Sequence, residues 1–447
     1  MKSKKISKKI CTVLLACAIV FGAAGCSGSA ETNNVIESES FEQTKESVIQ
    51  DSKEDLISNT VEEENAMTEN EIVQVPEWES VEIPQNSALA FVESMQLGWN
   101  LGNTFDASNC GVADELEYES AWVGVATTKE MIQTIANAGF RTIRIPISWH
   151  NHVDEDFQIS KVWLDRIQQV VDWAFAEDLY VIINIHHDNE ESFMYPSYEY
   201  LEHSKQYVQA IWQQVSERFA EYNEKLVFET LNEPRHIGTD HEWWIDINSE
   251  VGKECIDCVN QLNQTAVDTI RANGKGYNRS RYIMVPGYCA SPDFALADAF
   301  VLPTDNSSAE NRILVSVHAY TPYNFALAGE NDQNSTDQFS IAEQNGTADI
   351  DTFMKKLYDK YISKGTGVVI GEFGARIKKD NIQARTEFAA YYVAQARHYG
   401  MTTCWWDNNS FGGDGENFGI LRRVKNQILF PQIVAQMVHY STSTALQ

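Results

Sequence analysis

Eight short apolar runs, rich in Val, Ile and aromatic residues, alternate along the chain with longer segments in which apolar residues recur every three or four positions. The short runs are typical of buried strands and the longer segments of amphipathic helices, although the fifth helical segment, SPDFALADAF, is short. Alternating strands and helices predict a parallel sheet, and eight such units predict an α/β fold, the closed (β/α)₈ TIM barrel. The predicted strands begin at Leu97, Phe140, Tyr180, Lys225, Arg281, Ile313, Gly367 and Met401.

The fourth run continues into the segment FETLNEPRH, from Phe228 to His236. Pro234 cannot join a strand ladder, so the strand is predicted to end near Glu233. A carboxylate at the end of a buried strand needs a partner or a function, because glutamate is almost never fully buried without one. Polar or aromatic side chains also stand at or just past the ends of other runs, at Arg144, His186, Asn232, His318, Tyr320, Glu372 and Trp406.

In a barrel these strand ends converge on the single face that carries active sites. Glu233 and Glu372, on the fourth and seventh strands, are therefore predicted to face each other across the mouth. Paired carboxylates are what glycoside hydrolysis requires, because one donates a proton to the leaving oxygen and the other attacks the anomeric carbon. A separation of about 5 Å would retain the anomeric configuration and one of about 6.5–9.5 Å would invert it. The sequence leaves that distance open.

The first part of the chain differs in composition from the rest. Residues 1–26 have a lysine-rich start, an apolar stretch and small residues before Cys26, as in a secretory signal. AAGC resembles a bacterial lipoprotein cleavage box, but Ala23 replaces the usual leucine, so plain secretion and lipid anchoring to the outer face of a bacterial membrane both stay open. Residues 27–85 are acidic and poor in aromatic residues, which predicts a disordered linker, and residues 86–447 are predicted to form one catalytic domain.

Charge and cysteine content narrow the classes of partner. The formal net charge is -30, which argues against nucleic acid as a partner, because a negatively charged protein repels a polyanion. The same charge does not repel an uncharged substrate. Cys255 and Cys258 form a CxxC, but the segment has a helical pattern and no second Cys or His pair stands at ligand spacing. Structural zinc needs four ligands, so no metal is expected.

Six motifs, taken together, resemble those of glycoside hydrolase family 5, a clan A family of retaining β-glycanases. LNEP, GEFG, RIPISWH, IHHD, HAY and WWDN occur in the family's order, and GWNLGNTFDA resembles subfamily 4, which contains many bacterial endoglucanases and xyloglucanases. The resemblance covers about residues 91–430. It implies a cellulase, a retaining endo-β-1,4-glucanase that acts on cellulose or another β-glucan by double displacement, as a monomer and without a cofactor.

The same resemblance implies a role for each matching residue. Glu233 matches the general acid/base and Glu372 the nucleophile. Asn232 matches the amide that binds the substrate's 2-hydroxyl, while Arg144 and Tyr320 match the side chains beside the nucleophile. The residues that match histidines near the cleaved sugar, or the tryptophan that forms its floor, are His186, His187, His318 and Trp406.

Several alternatives stay open on the sequence alone. Trp99 and Trp149 follow the first two strands closely and are either packing residues or platforms for sugar rings, and Trp99 is counted among the expected substrate-binding residues. The long segment 321–349 after the sixth strand is expected to form a wall of the cleft. A xyloglucanase or mannanase could use the same two glutamates, since the cleft chooses the sugar. A barrel that only binds polysaccharide would be expected to lack one glutamate or to have Arg144 or Tyr320 replaced, and neither change is present.

Overall fold

The computed structural model describes residues 72–413 and 415–443. Eight parallel strands close into a barrel in chain order, with the eighth strand paired back to the first, so the predicted fold is confirmed. Both faces of these strands are covered, which explains why they read as continuous apolar runs. The barrel strands are β1 Leu97–Leu101, β2 Thr142–Ile145, β3 Tyr180–Asn184, β4 Leu226–Glu229, β5 Ile283–Pro286, β6 Ile313–His318, β7 Val368–Phe373 and β8 Thr402–Asp407.

Helices surround the barrel, and a small antiparallel pair, β9 Leu421–Arg422 and β10 Gln427–Ile428, follows the last strand. Several helices begin with a side chain that accepts a hydrogen bond from the backbone of the first turn, such as Thr128 and Ser249. The α-helices are α1 Ser87–Met95, α2 Tyr118–Ala121, α3 Lys129–Asn137, α4 Lys161–Ala176, α5 Leu201–Arg218, α6 Glu250–Asn273, α7 Pro292–Ala295, α8 Tyr323–Ala326, α9 Thr347–Lys360, α10 Ile382–His398 and α11 Pro431–Thr442.

Helix α1 closes the bottom of the barrel. Asn86 caps its first turn by accepting from the backbone N–H of Leu89 at 2.9 Å, and the helix buries an apolar face that includes Phe91 and Val92. This face packs on the lowest layer of inward-pointing side chains, which excludes water from the lower barrel. That layer consists of Ile182, Val227, Met284, Leu314, Val369 and Cys404, with Tyr282 at its edge.

A buried polar layer lies between this apolar floor and the mouth of the barrel. Asn100, Arg144, Asn184, Glu229 and Ser316 come from five different strands and are at most 1% exposed. A charged layer in such a place must find its hydrogen-bond partners within the protein, because its side chains are buried. The barrel interior therefore changes from apolar to charged toward the face on which the predicted site lies.

Residues 72–85 belong to the folded domain, and this corrects the predicted linker boundary at residue 85. The backbone N–H of Val73 donates to Gln436 at 3.1 Å, and the Trp78 ring meets that of Tyr391 edge-on at 5.6 Å. Ile83 packs beside Gly400, just before β8. Composition does not mark this boundary, because the few spaced apolar residues of segment 72–85 directly follow a long polar segment. The signal and the remainder of the predicted linker lie outside the described residues.

Two further features of the described residues are plain. Cys255 and Cys258 are buried on α6 as free thiols, in agreement with the helical pattern, and neither belongs to a cluster of three or more candidate metal ligands. None of the described helices combines the length and apolarity that crossing a membrane requires.

The packing of segment 72–85 makes a testable prediction. Trp78→Ala removes a half-buried ring that lies against α10, so the free energy of unfolding should fall by about 1–3 kcal/mol, while kcat/KM stays unchanged because the ring is far from the barrel mouth. Chemical denaturation of the full chain measures the change. Trp244→Ala, at a position 68% exposed, serves as the control and should leave stability almost unaltered. Equal stability of the two variants would contradict the structural role of segment 72–85.

Candidate active site

A cleft of about 1130 Å³ crosses the mouth of the barrel at the C-terminal ends of the strands. Glu233 and Glu372 lie in it, together with most of the other residues predicted from the sequence. Thr321, Tyr323 and Leu327 contribute to one wall, so the segment after β6 does border the cleft, and it contains the short helix α8. A smaller cavity of about 390 Å³, which shares Asn103 and Glu416 with the cleft, lies between Trp122 and the loop after β8.

Arg144 is the centre of the polar layer. It is completely buried, and its Nη1 donates to Asn100 Oδ1 at 2.9 Å and to Glu372 Oε1 at 2.8 Å. Its Nη2 donates to Asn232 Oδ1 at 2.7 Å, and Nε donates to Glu229 Oε2 at 2.8 Å. Nη2 also lies 2.7 Å from the same Glu229 oxygen. The guanidinium thus holds together side chains from β1, β4, β7 and the segment after β4, and its planar fork suits this better than an ammonium group would.

Glu372 receives one hydrogen bond on each carboxylate oxygen. Arg144 donates to Oε1, and the Tyr320 hydroxyl donates to Oε2 at 2.9 Å. Burial and the nearby charge of Glu233 raise the pKa of Glu372, against the lowering effect of His318, Arg144 and the Tyr320 bond. Both hydrogen bonds aim donors at the ionised form of this carboxylate, which is the form that a nucleophile needs.

Glu233 is paired with a histidine. His318 Nδ1 lies 2.8 Å from Glu233 Oε1, and it also lies 3.6 Å from Glu372 Oε1. Burial alone would lower the pKa of His318, but the surrounding carboxylates of Glu372, Glu229 and Glu233 raise it to about 9. Burial raises the pKa of Glu233, yet the hydrogen bond and charge of His318 outweigh burial and leave it below its ordinary value. The pair therefore holds one proton near neutral pH.

The separation of the two glutamates decides what chemistry they can perform. Glu233, His318 and Glu372 each place one ligating atom within 4.8 Å of the others. One oxygen of each carboxylate thus lies within 4.8 Å of an oxygen of the other. This proximity agrees better with the spacing of about 5–5.5 Å at which one carboxylate attacks directly than with the 6.5–9.5 Å that admits a water molecule. The distance left open by the sequence indicates retention of configuration.

The remaining predicted residues surround this pair. Asn232 uses Oδ1 to accept from Arg144, which leaves its Nδ2 as a donor at the cleft. The Asn184 amide donates to Nδ1 of His186 at 3.1 Å, so Nε2 of that ring carries the hydrogen. His187 also borders the cleft, half-exposed. The ring of Trp406 lies parallel to that of His186 at 5.9 Å.

Trp406 can lie across the cleft floor because Gly102 has no side chain, since a Cβ at that position would come within 2.8 Å of the indole ring. The neighbouring Trp405 points the other way and donates its Nε1–H to the carbonyl of Phe418 at 3.0 Å. The structure therefore settles which of the two adjacent tryptophans belongs to the cleft.

The expectation that Trp99 binds sugar is wrong. Trp99 is completely buried on the outer side of β1, donates Nε1–H to Asp407 Oδ2 at 2.9 Å, and packs under Arg423. Trp149 is likewise buried and donates to the carbonyl of Asn184 at 2.9 Å. Both rings are packing residues, because neither has a free face to offer a ligand.

Sequence reasoning missed Glu229, Arg235 and Trp243. Glu229 is fully buried in β4, where Ser316 Oγ donates to its Oε1 at 2.6 Å. Burial raises the pKa of Glu229, but the lowering effects, of which the charge of Arg144 is the largest, outweigh burial and bring the pKa to about 2. A signal existed, because an acid inside an apolar run, four residues before Glu233, requires a buried cation. Arg235 and Trp243 stand in a loop, where no periodicity marks them.

Among the residues that the structure describes, two clusters offer metal-ligating atoms within 4.8 Å of one another: Asp106 with His186 and His187, and Glu233 with His318 and Glu372. In the first, the Asn184 bond fixes the hydrogen on Nε2 of His186, so that nitrogen is a donor and a poor ligand. In the second, His318 is held protonated by its carboxylates. The hydrogen bonding of both clusters fits a sugar hydroxyl or proton transfer better than a metal ion.

Comparison with known proteins agrees with the chemistry inferred from the site. The family model for cellulase, glycosyl hydrolase family 5, matches residues 105–412. Endoglucanase A of Clostridium longisporum is 39% identical over 341 residues, which is 75% of this chain but only 62% of that protein. The chain thus spans less than two thirds of that relative's length.

Solved structures agree with the family model. A glycoside hydrolase 5 lichenase from a Caldicellulosiruptor species, in complex with cellotetraose, shares 54% identity at a TM-score of 0.80 and covers 82% of this chain and 99% of its own. A broad specificity endoglucanase of subfamily 4 from Ruminococcus champanellensis, with bound cellotriose, shares 35% identity at a TM-score of 0.72 and covers 80% of this chain and 100% of its own.

The buried pair of Arg144 and Glu229 leads to a prediction about stability. Glu229→Gln removes one of the two carboxylates that neutralise the guanidinium, so the free energy of unfolding at pH 7 should fall by about 3–5 kcal/mol. The folded pKa of about 2 lies below the ordinary 4.5, so the charge of Glu229 stabilises the fold above pH 4.5 and progressively less as the pH falls toward 2. The difference in the free energy of unfolding between the wild-type protein and Glu229→Gln, measured by urea denaturation, should therefore shrink as the pH falls from 4.5 toward 2. Ser316→Ala, which deletes one neutral donor to Glu229, is the control, and a loss as large in this variant would contradict the electrostatic explanation.

Proposed function

Because the chain belongs to the cellulase family, glycoside hydrolase family 5, we propose that it is a retaining endo-β-1,4-glucanase that cleaves β-glucan chains. The observation that carries the proposal is the close pair Glu233 and Glu372, with donors to both oxygens of Glu372 and a proton-sharing histidine on Glu233. The lichenase likeness favours mixed-linkage β-glucan, and the broad specificity relative favours a cleft that accepts several glucans.

In the first step Glu372 attacks the anomeric carbon and forms a glycosyl-enzyme. Arg144 and Tyr320 hold its carboxylate in one orientation through the 2.8 Å and 2.9 Å bonds. Fixing the attacking oxygen in this way avoids reorganisation during the reaction. Asn232 Nδ2 is placed to donate to the 2-hydroxyl of the sugar beside Glu372, where hydrogen bonds strengthen as the transition state forms.

Glu233 supplies the proton for the leaving oxygen and later removes one from water. The proton shared by His318 and Glu233 resides on Nδ1 of His318, because the pKa of His318 is raised to about 9. Moving it across the existing 2.8 Å bond converts Glu233 into a carboxylic acid. Bound sugar displaces water and weakens the stabilisation of the separated charges, which favours this transfer.

The position of the cleft supports attack within the polymer. Its lining runs from Asn103, after β1, across the barrel mouth to Cys289, after β5. In a barrel closed in chain order, the loops after β8 and β1 lie opposite those after β4 and β5. A groove that spans these opposite sides admits a chain that extends beyond the reacting bond in both directions.

We propose further that the protein is exported and acts as a monomer, either released or tethered to a membrane by lipid at Cys26. The support for export is the sequence of residues 1–26 alone, and the support for a monomer is that one chain supplies every residue of the site described above. The mass of the mature N-terminus distinguishes a released chain from a lipidated one.

The function is tested by release of reducing ends from mixed-linkage β-glucan, carboxymethyl cellulose, xyloglucan, xylan and mannan. We expect release from one or more glucans, with the β-anomer formed first in proton NMR, because the two carboxylates are too close for inversion. Glu372→Ala should abolish release. Glu233→Ala should lower kcat/KM on glucan by about 10²–10⁴-fold, because general acid catalysis contributes that much. An α-anomer as first product, or no release by folded protein from any polymer, would contradict the proposal.

The pH profile tests the shared proton. The pKa of His318, raised from 6.5 to about 9, means that the folded protein keeps the imidazolium charge through neutral pH and loses it as the pH rises through 9. The alkaline limb of kcat/KM should therefore lie near pH 9, while the acid limb follows Glu372, whose pKa is raised above 4.5. In His318→Asn the alkaline limb should move to lower pH, since Glu233 must then retain its own proton. An unmoved alkaline limb would show that His318 holds no catalytic proton.

A further inference from the structure

We propose that Lys378 is a positioning residue for the substrate, because its buried ammonium group fastens the turn formed by residues 324–336 as a wall of the cleft. The inference rests on the proposed glucanase function and deepens it by naming a residue, outside the active-site set described above, on which binding of a long glucan chain depends. Lys378 lies in the connection between β7 and α10, shortly after Glu372.

The turn 324–336 borders the cleft at its tip and closes at its base. Leu327 and Asp332 line the cleft, while the backbone N–H of Thr336 donates to the carbonyl of Asn324 at 2.9 Å. A connection of this length can adopt many conformations, and closing it costs chain entropy. The contacts at its base therefore decide whether the tip stays beside the substrate.

The ammonium group of Lys378 binds both ends of this turn. Nζ donates to the carbonyl of Asn324 at 2.8 Å at one end, and to Ser335 Oγ at 3.0 Å and the carbonyl of Thr336 at 3.2 Å at the other. An ammonium group has three N–H donors, so all of them are used. The side chain is only 2% exposed, and lysine is almost never buried to this extent without specific partners. Its partners are three oxygens of a single turn.

The charge of Lys378 persists at neutral pH in spite of this burial. Burial, with a smaller contribution from the charge of Arg376, lowers the pKa of Lys378 to about 8. The carboxylates that act in the opposite direction are those of Asp332, Asp337 and Glu330. The lysine is therefore mainly protonated at pH 7, and hydrogen bonds from a charged donor are stronger than those from a neutral one.

Arg376 adds a second attachment between the same two segments. Its backbone N–H donates to the carbonyl of Ala326 at 3.0 Å, and its Nη1 donates to the carbonyl of Leu327 at 2.9 Å. Its Nη2 donates to the carbonyl of Gly415 at 2.6 Å, in the loop after β8. The chain that leaves the strand of Glu372 thus holds the wall in a fixed position relative to the nucleophile.

The wall lies on the side of the cleft that receives the departing chain. Glu233, after β4, protonates the oxygen of the departing sugar, so that part of the substrate extends toward the loops after β4 and β5. The strand before the wall, β6, pairs with β5, and Leu327 borders the cleft together with Ser291 and Leu296 from the loop after β5. A displaced wall should therefore impair a substrate that continues past the cleaved bond more than one that ends there.

The adjacent lysine provides a matched control. Lys379 Nζ lies 3.2 Å from Asp337 Oδ2, directly after the turn, but the Lys379 side chain is 67% exposed. An exposed ion pair contributes little to stability. Loss of Lys379 removes the same charge from the same connection and leaves the three buried hydrogen bonds intact.

The test compares Lys378→Met, Ser335→Ala and Lys379→Met in the full chain on two substrates at pH 7. Mixed-linkage β-glucan has a glucan chain as its leaving group, whereas β-cellobiosyl fluoride leaves only a fluoride ion. The readout is the ratio of kcat/KM on glucan to kcat/KM on the fluoride. We expect Lys378→Met to lower this ratio about tenfold, the loss that follows when the wall is in place in about one molecule in ten. Ser335→Ala, which removes one of the three acceptors, should lower it less, and Lys379→Met should leave it unchanged.

Hydrogen exchange of the backbone amides measures the order of the wall separately from catalysis. Residues 324–336 should exchange faster in Lys378→Met than in the wild type, while the barrel strands exchange at the same rate in both, because only the base of the turn is released. Faster exchange together with an unchanged substrate ratio would make Lys378 a purely structural residue and overturn the proposal.

The outcomes separate this inference from the function on which it rests. If the wild-type protein cleaves neither substrate, the proposed function itself fails. If the wild type cleaves both, and Lys378→Met and Ser335→Ala have the same ratio as Lys379→Met, the function stands and the role of Lys378 is overturned. An equal loss on both substrates also overturns it, since the lysine would then act on the chemistry or the fold. Should Lys378→Met not fold, Ser335→Ala decides alone, and an unchanged ratio in that variant overturns the proposal.

Discussion

The buried guanidinium of Arg144 is the interaction on which the site depends. Removing a cation from water is costly, and the cost is offset only where carboxylates and carbonyl oxygens meet all of its donors. Here the partners come from β1, β4, β7 and the segment after β4, and two of them are the carboxylates of Glu229 and Glu372. One side chain thus fixes the relative positions of strands far apart in the chain, and places the nucleophile as a consequence of satisfying its own charge.

Such a charged layer is possible because the barrel beneath it is dry and closed. Helix α1 and the inward-pointing layer around Val227 and Leu314 fill the lower barrel, so water cannot reach the ion pairs from below. Glycine at position 371 leaves the space that the charged layer occupies, since a Cβ there would lie 3.2 Å from Nε2 of His318 and 3.4 Å from Oε1 of Glu229. The electrostatics of the site therefore depend on the packing of the lower barrel.

The sequence predicts those features of the molecule that produce a recognisable pattern of residues along the chain. Apolar runs revealed the eight strands, and strand-end position revealed Glu233 and Glu372. Trp99 was misassigned because both faces of a barrel strand are buried, so hydropathy does not show which residues point inward. No sequence pattern marks Trp243, because it lies in a loop, where apolar residues do not recur at regular spacing. Its position is apparent only from its contact with Arg235 and from the cleft that it borders. Segment 72–85 was missed since its partners lie more than 300 residues away in sequence.

Under the proposed function, the groove that crosses the barrel mouth also determines how a glucan chain shortens. A site reached from the side needs no chain end, so each cut can fall near the middle of a long molecule and halve its length. The bulk flow of a glucan solution depends on chain length far more steeply than on the number of ends. A few turnovers by this cleft would therefore thin a viscous glucan long before soluble sugars accumulate.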